Sequence, residues 1–182
     1  MNWYIPGTVL TAPREDAPHI EQQFTAMFLA GGIALGQVSH ITGLEPYTIQ
    51  NWVKREFLPP PDHKRYNMNQ LCRVITINML KKVLPMEQIV GLLGYINGDL
   101  DDASDDLIDD ARLYFLFVRL ASGFSTMQNP AGRDAAIEAA LESYTEPVPG
   151  AKARVEKVLR VMLTAWAAAQ LHEAAEHMVA EL

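Results

Sequence analysis

Residues 43–61, GLEPYTIQNWVKREFLPPP, carry the most informative pattern in the sequence. Pro46 suits the first turn of a helix, whereas the three prolines that close the stretch cannot continue one. Ile49, Trp52 and Val53 recur at helical spacing, so we expect these side chains to face inward. The pattern therefore predicts a short amphipathic helix with a polar face toward solvent.

The polar face of this helix, over about 46–56, combines short polar side chains with cations. On DNA, an apolar face fixes the orientation of such a helix, polar side chains meet base edges, and cations meet phosphates. Gln50 and Asn51 could bond adenine through paired donor and acceptor groups, while Lys54 and Arg55 would contact phosphate. The alternative is an ordinary amphipathic helix with a solvated basic face. The solvent-facing residues are Tyr47, Thr48, Gln50, Asn51, Lys54 and Arg55.

A second short helix precedes this one, because residues 33–58 contain two amphipathic segments separated by Gly43. Two helices joined by a short turn are typical of a helix-turn-helix. The next segment, LPPPDHKRY at 58–66, cannot be helical, since proline lacks an N–H donor and fixes an extended path. The short wing predicted at its end consists of Lys64, Arg65 and Tyr66.

The remaining sequence predicts further helices and no strand apart from the wing. Residues 1–16 lack a helical period and predict an irregular arm. A first helix is expected from Asp16 and Pro18 to the Gly31-Gly32 pair. Later helices are expected after a cap at Asn67 or Asn69, after Pro85, over 134–144 following a loop at 123–132, and over about 151–181.

The predicted fold class is all-α, with three regions along the chain. Residues 1–32 form the arm and first helix, and residues 33–98 form the helix-turn-helix domain. Residues 99–182 form a helical region for dimerisation or partner binding, with an apolar seam along the last helix. The boundary near 99 is placed where seven aspartates occur within residues 99–110.

Composition supports a globular protein with an uneven charge distribution. The chain has 182 residues, of which 49% are hydrophobic, and a net charge of −7. Residues 45–82 carry seven lysines or arginines against three acidic residues, a net of +4, which leaves −11 elsewhere. Such a split favours a local nucleic-acid surface on an acidic body. Short apolar runs predict no membrane span, and the single Cys72 predicts no internal disulfide, so we expect a cytoplasmic protein.

Several motifs in order carry a resemblance to known families. Residues 35–93 resemble the winged helix-turn-helix of MerR-type regulators in their order of elements. More closely, IQNWVKR at 49–55, KRY at 64–66, INMLKK at 77–82, YING at 95–98 and SDDLID at 104–109 resemble the bacterial domain of unknown function 1836. The resemblance implies a MerR-like DNA-binding fold and names no effector or operator.

Two departures from the MerR pattern bear on function. Gln50 stands where those regulators usually carry arginine, so fewer fixed cations would face phosphate. No cysteine follows Cys72, which disfavours metal sensing by thiols. Cys72 itself, on a predicted helix, is expected to be a small buried packing residue.

Two acidic motifs offer competing interpretations. Asp101, Asp102 and Asp105 match DDxxD, as do Asp105, Asp106 and Asp109, and on a helix such carboxylates could hold Mg²⁺ against a diphosphate. HEAAEH at 172–177 places its histidines five apart, whereas a zinc-protease helix needs them four apart. His172 with Glu176, or Glu173 with His177, could still pair. We therefore expect no catalytic residues, no cofactor and no metal, and hence no enzyme.

The sequence thus predicts a homodimeric transcriptional regulator that binds double-stranded DNA. The helix over about 46–56 would enter the major groove, and the wing, Lys64, Arg65 and Tyr66, would contact the flanking backbone. The alternative is a protein-interaction module that keeps the helix-turn-helix core.

Overall fold

The structure, a computed structural model, describes residues 2–100, 102–123 and 129–182. Most of these residues are helical, which confirms the helical fold class. The helices of the described ranges are α1 Ile20–Met27, α2 Leu35–Thr42, α3 Pro46–Lys54, α4 Met68–Leu80, α5 Met86–Asn97, α6 Asp110–Ser122, α7 Pro130–Ala140 and α8 Ala151–Ala180.

Two small antiparallel sheets accompany the helices. β1 Asn2–Tyr4 pairs with β2 Thr11–Pro13, and β3 Ile33–Ala34 pairs with β4 Arg65–Tyr66. The prediction of an irregular arm over residues 1–16 was therefore wrong. In this hairpin Trp3 and Ala12 are buried, while their neighbours are exposed or, at Pro13, half-buried. This alternation of three residues is too short to detect in the sequence.

The first helix also begins later than expected. A 3-10 helix covers Arg14–His19 and contains Pro18, and α1 follows it directly at Ile20. Pro18 thus lies inside the tighter helix rather than at the start of the regular one. Ile20 and Phe24 carry the buried face of α1, one turn apart.

α4 forms the centre of the core. Its side chains are buried on all sides, and α2, α5, α6 and α8 pack around it. Of the two predicted caps, Asn67 and Asn69, it is Asn67 that caps its start: its side chain accepts from the Gln70 N–H at 2.9 Å, and the Gln70 side chain accepts from the Asn67 N–H at 2.8 Å. Cys72 is fully buried, as expected, and burial raises the pKa of its thiol.

A buried cation ties α4 to two neighbouring segments. Arg73 is only 5% exposed. Its Nε donates to the Phe57 carbonyl at 2.9 Å, just after α3, and its Nη1 donates to Asp110 at 3.3 Å, at the start of α6. Burial raises the pKa of Asp110, and the nearby Arg73 charge opposes that rise.

The N-terminal hairpin is bonded into this core through its turn. The Asn78 side chain on α4 donates to the carbonyls of Gly7 and Thr42, both at 2.9 Å. The buried Tyr114 hydroxyl donates to the Pro6 carbonyl at 2.8 Å. A Cβ on Gly7 would lie 2.5 Å from the Ile75 carbonyl oxygen, so this approach requires glycine.

The aspartate-rich segment precedes α6 rather than forming a helix. Asp109 caps α6 by accepting from the Arg112 N–H at 2.8 Å, so Asp102, Asp105 and Asp106 lie before the helix. The expectation that carboxylates four apart share one helix face was therefore wrong, and Asp101 lies outside the described residues. Burial, then the charges of Asp110 and Asp105, raise the pKa of Asp106 to about 6.

The C-terminal helices complete the same core. α7 begins at Pro130 behind an Asn129 cap, so the predicted loop over 123–132 is too long at its end, and residues 124–128 lie outside the described ranges. The long α8 runs as predicted and is buried as far as Ala169. Buried residues from before and after residue 99 belong to one hydrophobic core. The division of the chain into three regions stays a prediction. None of the described helices combines the length and apolar character that crossing a bilayer requires.

Arg73→Met is expected to lower the free energy of unfolding by about 3 kcal/mol, because it leaves the Asp110 carboxylate buried without its partner. Adding Asp110→Asn is expected to recover about 1 kcal/mol, since the uncompensated charge is then gone. Urea unfolding measures both changes. The control is Arg119→Met, which removes an exposed ion pair with Glu21 and is expected to cost under about 0.5 kcal/mol. Equal losses for the Arg73 and Arg119 variants would contradict this role.

Asp106→Asn is expected to remove a pH dependence of stability. The folded chain keeps the Asp106 proton up to a pKa of about 6, whereas the unfolded chain releases it near 3.8. The free energy of unfolding therefore falls as the pH rises from about 4 to about 6, and the variant lacks that fall. Solvent screens this partly exposed carboxyl, so we expect the variant to be more stable by about 1 kcal/mol at neutral pH. Urea titrations across this range test it, and parallel pH profiles would refute it.

Candidate nucleic-acid interface

A three-residue turn positions α3 against α2. Gly43 ends α2 with a φ of 69°, and its N–H donates to the Ser39 carbonyl at 2.8 Å. A Cβ at this position would lie 2.7 Å from a methyl group of Val9, in the turn of the N-terminal hairpin. Both the left-handed backbone and this close approach require glycine, so the angle between the two helices depends on it.

The inner face of α3 follows the prediction for two of three residues. Ile49 and Trp52 are buried, which holds the helix in one orientation. Val53 is only half-buried. From α4, the Lys81 ammonium lies 5.6 Å from the Trp52 ring centroid, and burial, with the Lys82 charge, lowers the pKa of Lys81. The sequence pattern does not indicate this contact.

The outer face of α3 presents three exposed side chains in a row. Tyr47 is 77% exposed, and Gln50 and Lys54 follow it at helical spacing. Thr48 and Asn51 lie beside this row and are half-buried. The exposed Arg55 follows the helix, and its guanidinium lies 4.7 Å from the Phe57 ring centroid.

The predicted wing is a tight turn with unusual backbone geometry. The Arg65 N–H donates to the Asp62 carbonyl at 2.7 Å, and the central residues His63 and Lys64 have φ values of 45° and 63°. Positive φ at both central positions defines a type I′ turn, and asparagine and glycine are the residues preferred at these positions. Lys64 is therefore held at the tip in a conformation that is costly for its residue type.

The turn is also anchored at its base. The buried Gln70 side chain donates to the carbonyls of Pro59 and Pro60, at 3.2 and 2.7 Å. Beyond the turn, β4 pairs with β3, which leads directly into α2. The exposed Arg65 donates to the Gly32 carbonyl at 3.5 Å. The turn is thus fixed to both the helix pair and α4.

One predicted contact residue is not on the surface. Tyr66 is 3% exposed and belongs to the core, where burial raises the pKa of its hydroxyl. Its place at the end of β4 explains this, because successive strand residues point to opposite faces and Arg65 takes the outer one.

A concavity of about 570 Å³ brings α3 and the turn together. Gln50 and Lys54 line it from α3, and Lys64 lines it from the turn. The other predicted contact residues, Tyr47, Thr48, Asn51, Arg55 and Arg65, do not line it. The apolar floor of the concavity consists of Leu35, Val53, Pro61 and Tyr66. The sequence pattern does not indicate this floor.

Three carboxylates lie close to these cations in the sequence. Glu45 precedes α3 and Glu56 follows it, and both are exposed. Asp62 contacts the imidazole Nδ1 of His63 at 2.7 Å, with both side chains almost fully exposed. The surface of α3 and the turn is therefore mixed in charge with an excess of cations.

The acidic and histidine motifs do not assemble a second site. Among residues 2–100, 102–123 and 129–182, no three His, Cys, Asp or Glu side chains are grouped to hold a metal ion. His172 and Glu176 pair at 3.5 Å on the exposed surface of α8, one of the two pairings that the sequence allows.

Comparisons with known proteins give a family without an activity. Residues 22–117 match the family model described as "Domain of unknown function (DUF1836)". The chain is 25% identical over 118 residues to "Uncharacterized protein YkrK" of Bacillus subtilis (strain 168), an alignment that covers 63% of this chain and 51% of that protein. The chain thus spans about half the length of this relative. No solved structure matches the chain.

Replacing His63 by Asn and Lys64 by Gly together is expected to raise the free energy of unfolding by about 1 kcal/mol, because both new residues tolerate positive φ. Urea unfolding measures the change. Lys64→Ala is the control, since it removes the charge and keeps a costly φ, and it should not stabilise the protein. A double variant no more stable than the parent would show that the turn is not strained.

Proposed function

We propose that this chain, which belongs to the family described as domain of unknown function 1836, is a DNA-binding transcriptional regulator with a MerR-like winged helix-turn-helix. The proposal is based on the geometry of its surface. The observation that carries this proposal is the shared concavity in which Gln50 and Lys54 of α3 face Lys64 of the turn. Helix and turn flank one surface, as they do when a helix enters a groove and a wing meets the backbone.

The exposed row on α3 supports a division of roles. Tyr47 and Gln50 point to solvent from the first two turns, where a helix laid into the major groove meets base edges. Lys54 at the end of the helix, and Lys64 and Arg65 at the turn, bind phosphate on either side. Asn51 and Thr48 are half-buried and contribute at the margin of this surface. Tyr66 supports the turn from below.

The strained turn is a second support for the proposal. Residues held at costly backbone angles cluster at functional sites, where the surrounding structure fixes them. His63 and Lys64 occupy positions that Asn and Gly would fill at lower cost. A lysine kept at the tip serves a contact outside the chain, and phosphate is the partner that matches its charge.

A homodimer would supply the second reading helix. The last turns of α8, after Ala169, extend past the core with exposed apolar residues, among them Leu171, Met178 and Val179. Pairing of two such ends would bring two copies of α3 into one molecule. Two-fold symmetry then requires a roughly palindromic site with half-sites a whole number of helical turns apart.

The second candidate function is a protein-interaction module. The apolar floor of the concavity and the exposed apolar end of α8 favour it, because both surfaces suit a partner helix or chain. The net charge of −11 outside residues 45–82 also disfavours polyanions over most of the surface.

Lys54→Ala and Lys64→Ala are each expected to weaken binding to duplex DNA by about tenfold at low salt and to reduce the slope of log affinity against log salt by about one. Gln50→Ala is expected to relax sequence preference instead, because it removes a base contact. Fluorescence anisotropy with random and genomic duplexes measures all three. Lys157→Ala, an exposed lysine on α8, is the matched control and should bind like the parent.

Two outcomes would contradict the DNA-binding proposal. The first is that Lys157→Ala weakens DNA binding and reduces its salt dependence as much as Lys54→Ala and Lys64→Ala do. This result would mean that binding is spread over the whole surface. The second is no binding at low salt by folded protein. Recovery of a partner whose binding barely changes with salt would then favour the interaction module.

A further inference from the structure

A second cavity shares no lining residue with the concavity at α3. It has a volume of about 540 Å³ and lies between the N-terminal hairpin, the end of α4 and the outer half of α8. This volume is within the range of pockets for small molecules. Its walls include Trp3, Thr8, Arg14, Asn78, Met79, Lys82, Trp166 and Glu173.

The wall of this cavity contains a buried donor without an acceptor. Trp3 is 7% exposed, and its indole Nε1 has no hydrogen-bond partner among the described residues. Buried indole N–H groups normally find an acceptor, because leaving one unpaired is costly. The Nε1 atom itself is closed off from the cavity, so the cavity presents the ring of Trp3 rather than its N–H.

The charges around the cavity favour an anion. Arg14 and Lys82 contribute two positive charges and Glu173 one negative charge. Lys82 is paired with Glu173, which uses one of its three ammonium donors. The Arg14 guanidinium lies 5.0 Å from the Trp3 ring centroid, and among the described residues it donates to the Ser122 carbonyl at a long 3.5 Å. Donors of both cations thus remain for an incoming carboxylate.

The apolar walls favour a flat ligand. The Trp3 and Trp166 rings meet edge to face, with centroids 6.2 Å apart and planes at 85°. The two perpendicular rings line the cavity together with Met79, and they offer both stacking and edge contacts to an aromatic ring.

We propose that this cavity binds a small planar aromatic carboxylate. The ring packs against Trp3 and Trp166, and the carboxylate accepts from Lys82 and Arg14. The smaller cavity of about 300 Å³ near α6 does not suit such an anion, because Asp99, Asp106 and Asp110 line it.

The site would connect three parts of the molecule. Asn78 lines the cavity and also bonds the hairpin turn at Gly7 and the end of α2 at Thr42. A ligand there contacts the hairpin, α4 and α8 together. Its binding is independent of the proposed DNA surface and is measured without DNA.

The test is a titration of the full chain with benzoate, followed by the indole N–H signals of Trp3, Trp52 and Trp166 in ¹H–¹⁵N NMR spectra. Each signal is assigned by a Trp→Phe variant. We expect the Trp3 signal to move with a midpoint of about 1 mM, as for a ligand of this size, and the Trp52 signal to stay fixed. Benzamide, which lacks the charge, and cyclohexanecarboxylate, which lacks the flat ring, should each bind about tenfold more weakly.

Two neighbouring lysines provide matched variants. Lys82→Met is expected to weaken benzoate binding about tenfold, whereas Lys81→Met, which alters the contact with Trp52 outside the cavity, should leave it unchanged. In Trp3→Phe the Trp166 signal reports, and binding should again weaken. No movement of the Trp3 signal up to about 20 mM benzoate, or equal effects of the two lysine variants, would overturn the proposal.

Discussion

The packing of α3, α4 and α6 depends on the hydrogen bonds of one buried guanidinium, that of Arg73. Arg73 lies at the centre of α4, and its hydrogen bonds reach the chain just after α3 and the start of α6. A charge in this position is stable only while its partners stay in place, since desolvation of an unpaired ion outweighs most packing gains. The orientation of α3 is therefore linked to α6 through one side chain. The Asn67 cap and the hydrogen bond from Gln70 to the Pro60 carbonyl fix the turn to α4 in the same way.

This arrangement explains why the exposed surface can be small and rigid. α3 is only a little over two turns long and buries just Ile49 and Trp52 fully. A helix of that length has little stability of its own. Its position depends on Gly43 before it, on the Phe57 carbonyl after it and on α2, which packs against it. Rigid support of this kind is what a preformed binding surface requires.

Local signals predicted part of this structure and tertiary packing decided the rest. The spacing of Ile49 and Trp52, the proline at position 46 and the Asn67 cap are local, so α3 and α4 could be predicted. The N-terminal hairpin could not, because its strands are three residues long and its order comes from Asn78 and Tyr114, far along the chain. The sequence predicts an exposed Tyr66, because its charged neighbours hide the alternation of the short strand β4. The cavity beside Trp3 gave no sequence signal, since its walls come from four distant segments.

The edge-to-face contact between Trp3 and Trp166 has a consequence for folding. It joins the first strand to α8, so the contacts of the hairpin with α4 and α6 lack this part of the packing until α8 has been synthesised. Contacts of such long sequence separation slow folding and leave apolar surface open on the ribosome. The helix pair and α4, whose contacts are local, are expected to form first, and the hairpin is expected to dock fully only once α8 has been made.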